Sequence, residues 1–342
     1  MKEAQDLFQN KRRLYSLKVT IIVFLLVILS FVISLNSGTF QLSPLDVANT
    51  LMGEGTEQQG LVLFKLRLPR MVIAVLVGAG LAVSGAILQG ISRNDLSDPG
   101  ILGINAGAGL AVLLYVALVG SPSQQSIFLM PFLALVGAGC TALLIYLLSY
   151  KKSRGIAPTR LLLVGIAVAA GISAITIILT LKLDPRNLEF VVTWQMGDLW
   201  GSNWTFVLAL LPWLVILLPY VYFKSQTLNL LNLHEHTASS LGVRIEKERL
   251  VLLGAAVGLA AASVAIGGGI GFIGLLGPHI ARRMVGPQHQ GMLPLTACVG
   301  ALIVLTSDTI ARTVMENTEI PVGVVISMLG APYFLFLLMR TR

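Results

Sequence analysis

Val19-Thr-Ile-Ile-Val-Phe-Leu-Leu-Val-Ile-Leu-Ser-Phe-Val-Ile-Ser-Leu35 is a run of seventeen residues without a charge, and it follows Lys11, Arg12, Arg13 and Lys18. The hydrocarbon core of a bilayer is crossed by about 20 mostly apolar helical residues. The run therefore predicts a membrane-spanning helix over 19–36. Basic residues ahead of an apolar run also mark a secretory signal. Here no small-x-small cleavage site follows cleanly and further runs come after, so the segment reads as an uncleaved first span.

Working outward from it, the same test selects 70–90, 101–119, 127–149, 160–181, 204–223, 250–267, 270–282, 293–311 and 321–339. The expectation is an all-α integral membrane protein with about ten transmembrane helices, organised as one domain over 1–342. The eighth run is short and contains Pro278, which marks it as a candidate broken helix. Irregular backbone at membrane depth needs protein or a water-filled cavity around it. Composition agrees: 55% of the residues are apolar and 12% charged, against about 25% charged in soluble domains. The net charge of +8 does not point to nucleic acid. Its charges lie between the apolar runs, as in loops facing anionic lipid.

The charges also test the count. With ten spans and cytoplasmic termini, eighteen of the 24 Lys and Arg fall in inside segments. Those outside are Lys65, Arg67, Arg70, Lys182, Arg186 and Arg312. This three-to-one bias supports both count and orientation, because basic loops stay on the cytoplasmic side. Residues 1–18 are then a cytoplasmic N-terminal segment. Four-residue glycine spacings at Gly103/Gly107, Gly254/Gly258 and Gly267/Gly271 suit close helix packing in a compact bundle.

Few residues carry chemistry. Gly269-Ile-Gly271-Phe-Ile-Gly274 fits a dinucleotide pattern, but no strand of a soluble α/β unit precedes it. No Walker A pattern occurs, so any ATP used here is hydrolysed by another chain. His234-Glu235-His236 reads as a solvated loop rather than a metal site, because two histidines two apart do not share a helix face. Cys140 and Cys298 sit within apolar runs and read as small hydrophobes. Asp308 and Arg312, four apart, can pair on a helix. No catalytic constellation is found. The chain also has no series of mid-membrane acids, which speaks against an ion-coupled transporter. A receptor or anchor would want a sensor domain that this sequence does not contain. Residues 228–250 read as two short helical pieces separated at Gly242, with apolar faces (Leu228, Leu230, Leu231, Leu233; Ala238 to Leu241; Val243, Ile245) that a partner protein would cover.

A set of motifs runs through the chain in order: Leu66-Arg-Leu-Pro-Arg70; Gly78-Ala-Gly-Leu-Ala-Val-Ser-Gly-Ala86 with Gln89; Pro99-Gly-Ile-Leu-Gly103 with Gly107-Ala108; Arg160-Leu-Leu-Leu-Val-Gly165; Leu241-Gly-Val-Arg244; Gly271-Phe-Ile-Gly-Leu-Leu-Gly-Pro-His-Ile-Ala-Arg282; Ser307-Asp308; Ala311-Arg312; Pro321-Val-Gly323; and Gly330-Ala-Pro332. On these the sequence resembles the FecCD-type permeases, the membrane subunits of ABC importers for ferric siderophores, haem and cobalamin. One departure stands at Asn94-Asp95-Leu96, where the family usually has Asn-Pro-Leu. It removes a rigid turn residue.

The resemblance implies half of a twenty-helix dimeric channel in the cell membrane, completed by a second copy or a paralogue. It implies two ABC ATPase subunits carrying ATP and Mg, with no cofactor or metal on this chain, and an extracytoplasmic substrate-binding protein. Arg67, Arg70 and Arg312 match the outer arginines that meet the binding protein, and arginine suits a carboxylate partner because its fork is bidentate. The 228–250 segment matches the coupling helices that engage the ATPase, centred on Ala238, Leu241, Gly242, Val243 and Arg244. Pro158 and Thr159 match the cytoplasmic gate. Ferric siderophore is the expected substrate; haem, cobalamin and the choice of homodimer or heterodimer stay open.

Overall fold

The structure is a computed structural model and describes residues 2–38, 43–100, 103–120, 129–151, 155–156, 158–199, 201–233, 235–314 and 320–340. It is a helical bundle of α1 (Lys2–Asn36), α2 (Pro44–Leu51), α3 (Glu57–Gly60), α4 (Leu68–Ser92), α5 (Ile104–Val119), α6 (Leu129–Ser149), α7 (Pro158–Thr180), α8 (Pro185–Gln195), α9 (Trp204–Phe223), α10 (Ser225–Leu231), α11 (Glu235–Ser240), α12 (Ile245–Gly267), α13 (Ile273–Val285), α14 (His289–Thr313) and α15 (Val322–Arg340). A π-wound stretch, Leu61–Arg67, joins α3 to α4. The one strand pairing among the described residues is a two-residue ribbon, Tyr150–Lys151 against Gly155–Ile156.

Every expected crossing is occupied by a helix. Seven described helical segments are long and apolar enough to cross a membrane, and α5 and α15 are shorter apolar helices. The eighth run differs from expectation. Helix α13 continues through Pro278, and the break lies ahead of it at residues 268–272, where Phe272 adopts a left-handed φ of 66°. Proline leaves the carbonyl four residues earlier without its helical donor. That carbonyl belongs to Gly274, and the Gln89 amide of α4 donates to it at 3.4 Å. The helix tolerates its proline because a neighbouring side chain replaces the lost bond.

Helix α4 is the axis of the bundle, with α14, α12, α13 and α9 around it. Its residues from Val77 to Ile91 are all buried. Lipid offers no hydrophobic gain for pressing helices together, so their approach rests on small residues. A Cβ on Gly78 would lie 2.3 Å from the Gly300 carbonyl oxygen of α14, and one on Gly85 only 1.9 Å from the Gly274 oxygen of α13. Helices α5, α6 and α7 pack together beside α12, and α1 lies along α14 at the periphery. The outward faces of α1 and α7 are almost wholly apolar and exposed, as a lipid-facing surface requires.

Candidate functional site

At one end of the bundle, three helix ends meet. Asp308 of α14 is fully buried, and its carboxylate accepts from Arg70 Nε at 2.7 Å and from Arg312 Nε at 3.1 Å. The Asp308–Arg312 pairing is the four-residue helical spacing anticipated above. The Arg70 contact, 238 positions away in sequence, comes from the α4–α14 crossing. Arg312 also donates to Ser34 Oγ at 2.6 Å and to the Ser37 carbonyl at 3.2 Å, and Arg67 donates to the Leu35 carbonyl. Helix ends leave carbonyls without partners, and here arginines from two other helices cap α1. The three expected docking arginines are therefore brought together, as a buried, internally bonded cluster: the side chains of Arg70 and Arg312 are 9% and 7% exposed. Arg67 and Arg70 lie within the continuous helical segment Glu57–Ser92, where the π-wound stretch passes into α4.

At the opposite end, residues 225–247 form two parts of different character. Helix α10 is built into the bundle. Leu228 and Leu231 are fully buried. Asn229 Oδ1 accepts from the His289 backbone N–H at 3.0 Å and sits 2.7 Å from the His289 ring Nδ1, while its amide donates to Gln290 at 2.7 Å. Arg93, the left-handed residue that ends α4, donates to the Leu231 carbonyl at 2.9 Å and to that of Leu233. The first of these bonds satisfies the last carbonyl of α10. Helix α11 projects more freely: Ala238 is buried, but Leu241 is 59% exposed, and Gly242 turns the chain at a φ of 84°. Residues 239 and 242–247 line a cavity of about 560 Å³. Glu235 and His236 belong to α11 rather than to the expected loop, and His234 lies outside the described residues. Lys224 bonds Glu248 at 2.8 Å, holding the end of α9 to the start of α12; this bond raises the Lys224 pKa.

Between the two ends, α4 and α13 touch backbone to backbone at Gly85 and Gly274, with Pro99 and Asp98 against the same glycine. Asp98 accepts from the Gly100 N–H at 2.7 Å. It is wholly buried, and loss of hydration raises its pKa to about 6 despite that bond. Asp95, the residue at the proline position of the motif, forms an ion pair with Arg282, whose other nitrogen donates to Gln89 at 3.2 Å. The 94–96 turn itself is closed by Asn94, whose side chain accepts from the Leu96 N–H at 3.0 Å and whose carbonyl accepts from the Ser97 N–H at 3.1 Å. Helix α7 begins at Pro158 as expected; the Pro158 side chain lies outside the described residues, and Thr159 is exposed.

Two open cavities share Gln195 and Gly269 as a common wall. One, about 360 Å³, lies among α5, α7 and the end of α8. The other, about 450 Å³, lies toward α15. The end of α8 reaches this place because Gly268 and Gly269 pass close to the Trp194 and Gln195 carbonyls, where a Cβ would come within 2.2 Å. Gly269 therefore admits the α8 backbone and Gly274 the α4 backbone, while a Cβ on Gly271 would meet nothing within 4 Å. Sequence reading missed Asp98, Asn105, Gln195, Asn229 and His289. Asp98 stood one residue before a quoted motif; the others are isolated polar residues with no spacing signal.

Comparison with known proteins agrees end to end. The model of the FecCD transport family matches residues 25–340. The iron(3+)-hydroxamate import system permease protein FhuG of Bacillus subtilis is 49% identical over 328 residues, covering 95% of this chain and 97% of the relative. The hemin transport system permease protein HmuU of Yersinia pestis is 39% identical, with 94% and 95% covered. A solved metal-chelate type ABC transporter in an inward-facing conformation superposes with a TM-score of 0.83 at 33% identity, covering 94% of this chain and 99% of that one.

Proposed function

The chain belongs to the FecCD transport family of multi-pass permeases in the cytoplasmic membrane, and from that premise we propose that it is the non-catalytic membrane subunit of an ATP-driven importer for a ferric siderophore. The end-to-end likeness carries this reading: a FecCD transport family match over residues 25–340 would be hard to reconcile with any other class. ATP and Mg²⁺ would be held by two partner ATPases, with no cofactor on this chain. A second permease, identical or paralogous, would complete the path, and both termini would be cytoplasmic, as the distribution of Lys and Arg favours.

In this reading, acidic groups of an extracytoplasmic binding protein dock over Arg67, Arg70 and Arg312. Their carboxylates would reach the guanidiniums by exchange with Asp308 and the α1 carbonyls, which already hold them in place. The surface around Ala238, Leu241, Gly242, Val243 and Arg244 would seat on the ATPase. Its cavity and the 59% exposed Leu241 suit a partner, while the anchored α10 would pass the displacement on to α4 and α14. Pro158 and Thr159, at the start of α7, would bound the narrow cytoplasmic gate.

Leu241→Asp tests the reading without burying a charge in the bundle. The variant should accumulate in the membrane like the parent, lose the ATPase on co-purification and lose iron uptake. Undiminished uptake by this variant would remove the coupling role from the 238–244 surface.

A further inference from the structure

Helix α14 does not cap itself. Gln288, at its N-cap position, makes no side-chain bond to the first turn. The opening N–H groups of a helix have no partner within it. The His289 N–H is instead taken by Asn229 Oδ1 of α10 at 3.0 Å, and asparagine is among the residues that best serve a helix start. The same oxygen lies 2.7 Å from the His289 ring Nδ1. An amide oxygen has no hydrogen to give, so the ring nitrogen is the donor. The Asn229 amide in turn donates to Gln290 Oε1 at 2.7 Å. Pro294 weakens the same turn, because it offers no N–H to the Gln290 carbonyl. The start of α14 is thus held from α10 rather than by its own winding. The joint is also tight at its back: a Cβ on Gly90 of α4 would lie 3.2 Å from His289 Nε2 and 3.3 Å from Leu228 Cδ2.

Resting on the permease reading above, we propose that Asn229 is a positioning residue of the transport cycle: it makes α14 follow α10 when the ATPases act. Helix α10 has two attachments. Asn229 ties it to the start of α14, and Arg93, at the end of α4, holds its Leu231 carbonyl at 2.9 Å. Those two helices then run against each other through the bundle, and a Cβ on Gly300 would meet the Gly78 oxygen at 2.3 Å. Toward their far ends they carry Arg70 and Asp308, bonded at 2.7 Å. The α4–α14 pair is therefore joined by polar bonds at both ends and by backbone contact between them. The 25 residues of α14 span about 37 Å. Hydrogen bonds and rigid helices arranged in series are the physical means by which distant sites are coupled. A displacement reaching α10 from α11 would enter both helices at once and arrive at the arginine cluster. Without Asn229, α10 would pull on α4 alone, and the start of α14 would yield at Pro294.

The test is hydrogen–deuterium exchange of the complete transporter, purified with its ATPase, with and without ATP and vanadate. In the parent, nucleotide should change exchange at both ends of α14, over 289–293 and 309–314. Asn229→Leu should quicken exchange in the first turn about fivefold without nucleotide, the equivalent of one lost cap. It should also lose the nucleotide-dependent change over 309–314 while still binding the ATPase and hydrolysing ATP. Asn229→Asp, which keeps an accepting oxygen at a helix N-terminus, should restore both behaviours. A residue of purely structural use would alter exchange in the first turn and leave the distant response intact. A nucleotide response over 309–314 that survives in Asn229→Leu, or that the parent never shows, would overturn the proposal. Asn229→Ala serves the same test if the leucine variant does not accumulate; failure of both to accumulate would make the residue structural and overturn the proposal too. A parent chain with which no ATPase co-purifies would overturn the permease reading and this inference with it.

Discussion

Replacing Asp308 with alanine removes the one carboxylate that receives both Arg70 and Arg312 in a site where the acid is fully buried. Two guanidiniums would stay within the bundle with their shared counter-charge gone. Arg312 would keep its bonds to Ser34 and Ser37, but Arg70 would lose its 2.7 Å bond to Asp308. Deleting one partner of a buried ion pair costs about 3–5 kcal/mol, most of it from the stranded charge. At roughly 2 °C per kcal/mol for a chain of this size, the apparent melting point should fall on the order of 6–10 °C. The assay is thermal unfolding of detergent-solubilised protein followed by size-exclusion fluorescence. Asp308→Asn should fall between alanine and the parent, since the amide oxygen still accepts. The pair Asp308→Asn with Arg70→Gln should lose less than the two single changes summed, because the sites are in contact. A melting point for Asp308→Ala equal to that of the parent would refute the reasoning: it would mean that the arginines draw their stability from elsewhere.

Gly85→Ala places a methyl 1.9 Å from the Gly274 oxygen, backbone against backbone, so the α4–α13 crossing must open and the variant should scarcely accumulate in membranes on immunoblots; Gly139→Ala, with open space around its α-carbon, should accumulate normally and gain up to about 1 kcal/mol of helix propensity. Asp98 carries a pKa raised to about 6, so the folded protein holds its proton more tightly than the unfolded chain does. Stability is then fullest at low pH and is lost as pH rises toward and through 6; Asp98→Asn should raise the melting point by the equivalent of about 1 kcal/mol at pH 4.5 and about 3 kcal/mol at pH 7.5, and a pH-independent difference would exclude the linkage. The Asp95–Arg282 pair is different in kind, because Asp95 is 60% exposed: Asp95→Ala should shift melting by less than about 1 kcal/mol and leave uptake intact, and a large loss would show that the turn depends on the charge.

How far the sequence can be read depends on the range of each interaction. The crossings were legible because run length and loop charge are local quantities, and the Asp308–Arg312 pair was legible because a helix brings residues four apart together. Nothing local reveals that Asp308, far along the chain, lies beside Arg70. Glycine spacing marked some helix crossings and missed others: Gly107 meets the Gly137 backbone of α6. Gly254 faces open space, while Gly85 and Gly274, which belong to no four-residue pair, make the tightest approach. Pro278 suggested a broken helix because the rescuing amide sits on another element; only the packing of α4 on α13 brings Gln89 to it. Asn105 and Gln195 are single amides in apolar surroundings, and only the packing of α8 against α5 brings them to one cavity wall.

The bond from Gln89 to Gly274 has a mechanical consequence. Helix α13 lacks its own strut at the turn containing Pro278, so its stiffness there is borrowed from α4 through one long contact. Gln89 is also the group that Arg282 grips from farther along α13. Sliding α4 along its axis would therefore withdraw the pin and load the same turn together, and α13 would flex at a place set by its neighbour rather than by its own winding.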